Sequence, residues 1–290
     1  MSRRLHWPAG TAADGADPVA VTPRSAGWGY AGLRVIRLAP GVARSLATGT
    51  SEALVLPLSG ACTVEVEGRR FLLQGRVSVF GGISDFVYLP VGCQAKLTSP
   101  AGAEVAIPSA EATRALPPAY VPAQDVPIEI RGAGSATRQV NNLFVAGGAP
   151  GHRLVVVEVL TPGGNWSSYP PHKHDDATAE GETELEEIYY FRIQGEAGFG
   201  VHRTYTADRS IDETVAVRDG DIFLVPRGFH GPCVAPPEFP MYYLNVLAGE
   251  SDARSLGFSD DPAYAWIRGT WKTLPRDPRV PLVSTTRAAG

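Results

Sequence analysis

Two histidines one residue apart, His172 and His174, are followed by Glu187 at the start of an aromatic run and by His230 behind a Pro-x-Gly turn. Side chains at i and i+2 of a β-strand share a face, so His172 and His174 can reach one ion. Glu187 opens Glu187-Ile188-Tyr189-Tyr190-Phe191, where Tyr189 and Phe191 share its face. The turn Pro226-Arg227-Gly228-Phe229 can return His230 as a third imidazole. Three imidazoles and one carboxylate suit a divalent transition ion, with coordination positions left over for water or substrate. Other acids crowd the same segment, among them Asp175, Asp176, Glu182, Glu184 and Glu186. Strand position favours Glu187, while Glu182, Glu184 and Glu186 stay open as alternatives.

Such a constellation needs a rigid β scaffold, and the chain has the composition for one. Its 290 residues include 32 glycines and 25 prolines, an excess of chain breakers that argues against a helical bundle and for short strands joined by turns. Strand-like runs recur at Ala53–Gly60, Cys62–Gly68, Val77–Phe80 and Phe86–Gly92, and again at Leu154–Leu160, Ile188–Ile193, Asp221–Pro226 and Tyr242–Leu247. Between them, residues 116–151 are rich in Pro, Ala and Gly and read as a linker, with Asn141–Val145 as a strand into the second unit. The halves echo one another: Leu56-Pro-Leu-Ser-Gly60 matches Phe191-Arg-Ile-Gln-Gly195, and Val87-Tyr-Leu-Pro-Val-Gly92 matches Phe223-Leu-Val-Pro-Arg-Gly228. A duplicated β-barrel is the economical explanation. The six histidines are unevenly shared, with none between residues 7 and 151, so one barrel has imidazole chemistry and the other has none. Trp266 and Trp271 suggest that the last segment docks on the body.

A net charge of −4 gives no electrostatic footprint for nucleic acid. No apolar run approaches the ~18 residues of a membrane span, and no signal-peptide pattern opens the chain. The three cysteines, Cys62, Cys93 and Cys233, are scattered, which suits a reducing compartment. The expectation is a soluble cytoplasmic protein without nucleic-acid or membrane partners.

The order His-x-His, Glu, Gly and Pro-x-Gly with a final His resembles the cupin barrel. More specifically, Ser168–Asp175, Leu185–Ile193, Gly198-Phe-Gly, Arg203–Thr214, Val225–His230, Tyr242–Gly249 and Asp261–Trp271 are similar to the 5-deoxy-glucuronate isomerases of inositol catabolism. The resemblance spans most of the chain and is densest from residue 165 to 272. It implies an all-β bicupin: a barrel without metal ligands over residues 1–130, a metal-binding barrel over 131–258, and a tail packed on the body over 259–290. It also implies His172, His174, Glu187 and His230 as ligands of one divalent transition metal (Zn, Mn or Fe) and a small uronate sugar as substrate. The reaction implied is conversion of 5-deoxy-D-glucuronate to 5-dehydro-2-deoxy-D-gluconate by proton transfer through an enediolate. Two departures from the general cupin pattern stand out: twelve residues separate His174 from Glu187, and the Pro-x-Gly segment is short.

Such chemistry asks for a proton carrier, for which Tyr189, His202, Tyr243 and Glu186 are the candidates. It also asks for a cation to hold the substrate carboxylate, for which Lys173, Arg192, Arg203 and Arg227 lie in the right segments. A homo-oligomer stays open. The competing functions are the related uronate ketol-isomerase of pectin breakdown, a cupin metal-dependent dioxygenase, and a sugar-binding barrel without catalysis.

Overall fold

Alternating apolar residues closed by glycine produce strands throughout, and the computed structural model describes residues 4–177 and 181–285 of the chain. The only two α-helices among the described residues, Pro23–Ala26 and Ile267–Thr270, are single turns, so no helix is long and apolar enough to cross a membrane.

The strands form two barrels. In the first, Ser51–Val66 runs through both walls. Its early part pairs with Phe86–Leu89 and Ala103–Glu111, and its later part with Arg69–Arg76 and Gln94–Thr98. The strand turns the corner at a bulge beside Gly60, where φ is 77°. Gly75 crosses there so closely that a Cβ would lie 1.8 Å from the Gly60 carbonyl oxygen. In the second barrel, one wall is Arg138–Phe144, Val155–Thr161, Met241–Ala248, Glu186–Ile193 and Ile222–Val225. The facing wall is Gly200–Tyr205, Asp212–Val217 and Phe229–Val234, with the short strands Trp166–Ser167 and His172–Lys173.

The duplication is visible in strand order. One sheet runs Ala119–Val121, Phe86–Leu89, Ser51–Val66, Ala103–Glu111, Ala31–Leu38, Val19–Val21. The other runs His6–Trp7, Ile222–Val225, Glu186–Ile193, Met241–Ala248, Val155–Thr161, Arg138–Phe144 in the equivalent places. These two sheets pack face to face through one shared core, in which Leu33, Leu54, Phe86 and Tyr88 meet Phe144, Ile188, Tyr190 and Leu244. Each of the two sheets is therefore buried on both faces. The first barrel's own interior is filled by Ile36, Val55, Val64, Leu89 and Leu97.

Polar side chains fasten the two sheets reciprocally. Fully buried Glu52 accepts from the backbone amides of His152, Arg153 and Leu154 at 2.6–2.8 Å, and from the Tyr88 hydroxyl. Glu186, in the other barrel, accepts from the amides of Gly29, Tyr30 and Ala31 at 2.6–2.8 Å. In each case the carboxylate opens its own strand and satisfies the amides that lead into a strand of the opposite sheet. A buried Arg76–Glu158 ion pair, joined by the hydroxyl of Tyr242 and the amide of Asn141, adds a further cross-link.

The chain path differs from the sequence expectation in two places. Residues 116–151 are not a free linker: Ala119–Val121 completes the first sheet, and Ile128–Arg131 pairs with Arg138–Phe144. The second sheet thus starts ahead of the expected boundary at 130. The leading segment also belongs to the second barrel. His6–Trp7 pairs with Ile222–Val225, Leu5 enters that barrel's core, and Asp221 holds His6 Nε2 and the Ala9 amide at 2.8 Å. In both places unpaired sheet edges win segments that look polar or Pro-rich in isolation. Two stretches of the described tail, residues 259–285, lie against the body. Ser259–Asp260 pairs with His172–Lys173, and Val283 enters the shared core. Of its tryptophans only Trp271 is partly covered, while Trp266 is exposed.

Replacing Glu52 with Ala strands three backbone donors and should cost about 3–5 kcal/mol, given the ~1–3 kcal/mol of an unsatisfied buried donor. Glu186→Ala should cost less, because its amides lie nearer solvent. Urea denaturation followed by circular dichroism measures both, and an unchanged midpoint for Glu52→Ala would show that the clamp contributes nothing.

Candidate active site

The short strand His172–Lys173 lies beside Phe229–Val234 with His172 directly opposite His230, and their ring centroids are 4.5 Å apart. His174 follows, tied to the strand Glu186–Ile193 by the Leu185 amide donating to its carbonyl at 2.9 Å. One ring nitrogen from each of the three histidines lies within 4.8 Å of the others. The turn before His230 is fixed by Asp175, whose carboxylate accepts from the Gly228 amide at 2.6 Å. Close approach also requires Gly231, with φ 99°, since a Cβ there would lie 1.7 Å from the Ser168 carbonyl oxygen.

Backbone carbonyls set the tautomers. Nδ1 of His172 faces the Pro170 oxygen at 3.4 Å, that of His174 the Gly257 oxygen at 2.8 Å, and that of His230 the Gly228 oxygen at 3.2 Å. A carbonyl oxygen only accepts, so each Nδ1 carries the proton and each Nε2 presents a lone pair. Burial, with the neighbouring imidazoles, holds His172 well below the ordinary histidine value and His174 at about 4. His230 moves the other way: burial opposes its charging, but adjacent Glu187 outweighs that. Glu187 Oε2 lies 3.0 Å from His230 Nε2, yet neither buried atom has a hydrogen-bond partner. Two orphaned acceptor-type atoms aimed at one point, beside two further Nε2 lone pairs, fit a cation.

His172, His174 and Glu187 line a cavity of about 360 Å³, and His230 lies behind them. Tyr189 and Tyr243, both expected as candidates, line it. Their hydroxyls flank Ser168 Oγ at 3.2 and 3.1 Å. Ser168 sits at a left-handed φ of 46°. Burial pushes both tyrosines above their ordinary value, Glu187 adding to the rise at Tyr189 and Cys233 at Tyr243, so both hydroxyls keep their protons.

Other expected residues lie elsewhere. His202 is fully buried behind Tyr189, with ring nitrogens 3.0 Å from Cys233 Sγ and 2.9 Å from Thr204 Oγ1, and it does not line the cavity. Glu186 points to the first barrel, as strand alternation demands of the residue before Glu187. Glu182 is buried but accepts from Lys173 Nζ at 2.7 Å and from the amides of Asp175 and Asp176, so its carboxylate is already engaged. Lys173 is thereby spent on Glu182. Arg192 binds Glu104 and Asp219. Arg203 pairs with Asp212 and covers the Tyr205 ring, and Arg227 donates to Ser210. None of the four lines the cavity. The three cysteines are free and buried, and burial raises Cys233 far above the ordinary thiol value.

The cavity's cations are instead Arg131, Arg138 and Arg268, and its other polar groups include Glu129, Ser168 and Asn245. Arg131 and Arg138 fall in the stretch read as linker, and Arg268 in the tail, so neither had a local signal. Asn245 had one: it is the sole polar residue in the apolar run Met241–Ala248.

The chain has relatives over most of its length. It is 41% identical over 266 residues to a protein named 5-deoxy-glucuronate isomerase from Geobacillus kaustophilus, covering 91% of this chain and 95% of that one. The crystal structure of an IolB-like protein from Salmonella typhimurium superposes with a TM-score of 0.85 at 34% identity, covering 91% of this chain and 99% of that one. An oxalate decarboxylase from Lactobacillus farciminis, with TM-score 0.65 at 13% identity over 95% of this chain and 98% of its own, shares the cupin fold alone. The family model for KduI/IolB matches residues 6–267, which takes in both barrels, all three histidines and most of the cavity wall, and the chain belongs to the KduI/IolB family.

Proposed function

We propose that this protein is a 5-deoxy-glucuronate isomerase, converting the aldose 5-deoxy-D-glucuronate to the ketose 5-dehydro-2-deoxy-D-gluconate in inositol catabolism. The observation that carries the reading is the convergence of three imidazoles, with the Glu187 carboxylate beside His230, at the wall of a cavity that His172, His174 and Glu187 line. The names of relatives matching nearly full length support it. His172, His174, His230 and Glu187 are the ligand set for one divalent ion, with Zn, Mn and Fe all compatible with imidazole and carboxylate donors. A divalent ion there supplies Lewis-acid stabilisation of the negative charge that develops on the sugar oxygens.

The reaction breaks the C2–H bond, forms a C1–H bond and moves the proton of the C2 hydroxyl to the C1 oxygen, with no net gain or loss of electrons by the substrate. Tyr189 and Tyr243 hold their hydroxyl protons beside the imidazoles, and Ser168 joins them into a chain of three hydroxyls. Such a chain can pass a proton between neighbouring oxygens without admitting bulk water. The three histidines are oriented through Nδ1 by backbone carbonyls, which leaves each Nε2 available as a ligand.

Purified protein given 5-deoxy-glucuronate should form ketose, lose the activity on chelation and regain it with a divalent ion. Absence of conversion by metal-loaded protein, or a requirement for oxygen, would defeat the isomerase reading. His172→Ala and His230→Ala should each lose bound metal by elemental analysis; full retention would move the site elsewhere. Tyr243→Phe should keep its metal but lower kcat by about a hundredfold, the usual scale for a positioned proton carrier. Chelated protein should also lose stability as pH falls from 7 towards 4. Folding holds His172, His174 and His202 below their ordinary value, so the unfolded chain takes up protons that the folded one does not, and His230 offsets only part. Urea midpoints at pH 7 and pH 5 check the sign.

A further inference from the structure

Three arginines lie at one end of the cavity, but only two have carboxylate partners. Arg131 is held by both oxygens of Glu129 at 2.9 and 2.6 Å. Arg268 is held by both oxygens of Asp260 at 2.5 and 2.7 Å. Arg138, 4% exposed, has no acid within ion-pair distance among the described residues. Its Nη1 donates to the carbonyl oxygens of Ala136 and Tyr169 at 3.0 and 3.3 Å, while Nε and Nη2 have no hydrogen-bond acceptor among the described residues. The strand register sets it directly opposite Arg131, a like-charge pair that is unfavourable in a bare sheet. Trp271 lies against both guanidinium groups, with Arg138 Cζ 5.6 Å and Arg268 Cζ 5.3 Å from its ring centre. The inward-facing Asn245, 4% exposed, has a second unpartnered donor, Nδ2, in the same wall.

A buried guanidinium without a counter-ion is costly, and two free donors in fork geometry match a carboxylate. We infer that Arg138 receives the carboxylate of the sugar acid, with Asn245 donating to an oxygen of the same molecule, so that the acid end is read in the cavity that His172 and His174 also line. The assignment rests on the isomerase reading for its choice of a uronate, but the binding of an acid sugar does not depend on turnover. It makes Arg138 a specificity residue: it selects uronates over neutral aldoses of the same length. Arg131 and Arg268, already neutralised, contribute the wall. Burial and the two neighbouring arginines pull Arg138 down to about 10, which still leaves it charged at neutral pH.

Calorimetry with metal-loaded protein and glucuronate, a sugar acid offered as a probe, against glucose tests the inference. Wild type should bind glucuronate at least tenfold more tightly than glucose, and no preference overturns it. Arg138→Gln should weaken glucuronate about a hundredfold, the scale for removing one partner of a desolvated charge pair, and leave glucose unchanged. Arg138→Lys, which keeps the charge without the fork, should fall between them. Equal loss of both sugars, or retained discrimination in a variant with normal metal content and melting temperature, assigns Arg138 a structural role and overturns it. If wild type discriminates through Arg138 yet does not isomerise 5-deoxy-glucuronate, the carboxylate site stands and the isomerase reading falls.

Discussion

A β-strand points successive side chains in opposite directions, and here the sheet that carries Glu187, Tyr189 and Tyr243 is covered on both sides. Every residue of Glu186–Ile193 and Met241–Ala248 therefore answers to one of two interiors. Glu186 fastens the first barrel while Glu187 faces His230; Tyr190 fills the shared core while Tyr189 faces the cavity. On the neighbouring strand Tyr242 binds Glu158 at the barrel junction and Tyr243 reaches Ser168. A slip of one residue would exchange the two sets, so docking of the barrels and assembly of the site are enforced by one register.

The two barrels share a strand order but not an interior. In the second, three imidazoles are oriented by main-chain carbonyls, whose positions follow from the path of the backbone rather than from other side chains. In the first, Leu46, Ala53, Ala95 and Leu97 occupy the space with close apolar packing. That barrel supplies a platform: its sheet covers one face of the sheet that carries Glu187 and ties it down through Glu52, Arg76 and the amides of Gly29–Ala31.

The fold was legible because short apolar strands and glycine corners recur twice in the same order, and the echo Leu56–Gly60 with Phe191–Gly195 reflects equivalent strands of the two sheets. His172, His174, Glu187 and His230 were legible because their spacing has meaning within one or two strands. The arginines were not. Lys173, Arg192, Arg203 and Arg227 sit close in sequence to the histidines, but alternation turns Lys173 and Arg192 away from the cavity. Arg138 and Arg268 arrive from strand and tail segments whose proximity exists only after the chain has closed. Proximity along the chain is a guide to a ligand pair on one strand and a poor guide to the far wall of a cavity.

The segment Leu5–Ala9 forms the edge of a sheet whose other strands lie more than a hundred residues later. During synthesis it emerges long before Ile222–Val225, its partner, and must wait unpaired while the first barrel is made. The second barrel can finish its edge only by reaching back past the whole first barrel. The molecule is thus sewn shut by residues that precede the first barrel, and a gene cut between the barrels would yield two fragments of which the histidine-bearing one is missing a strand.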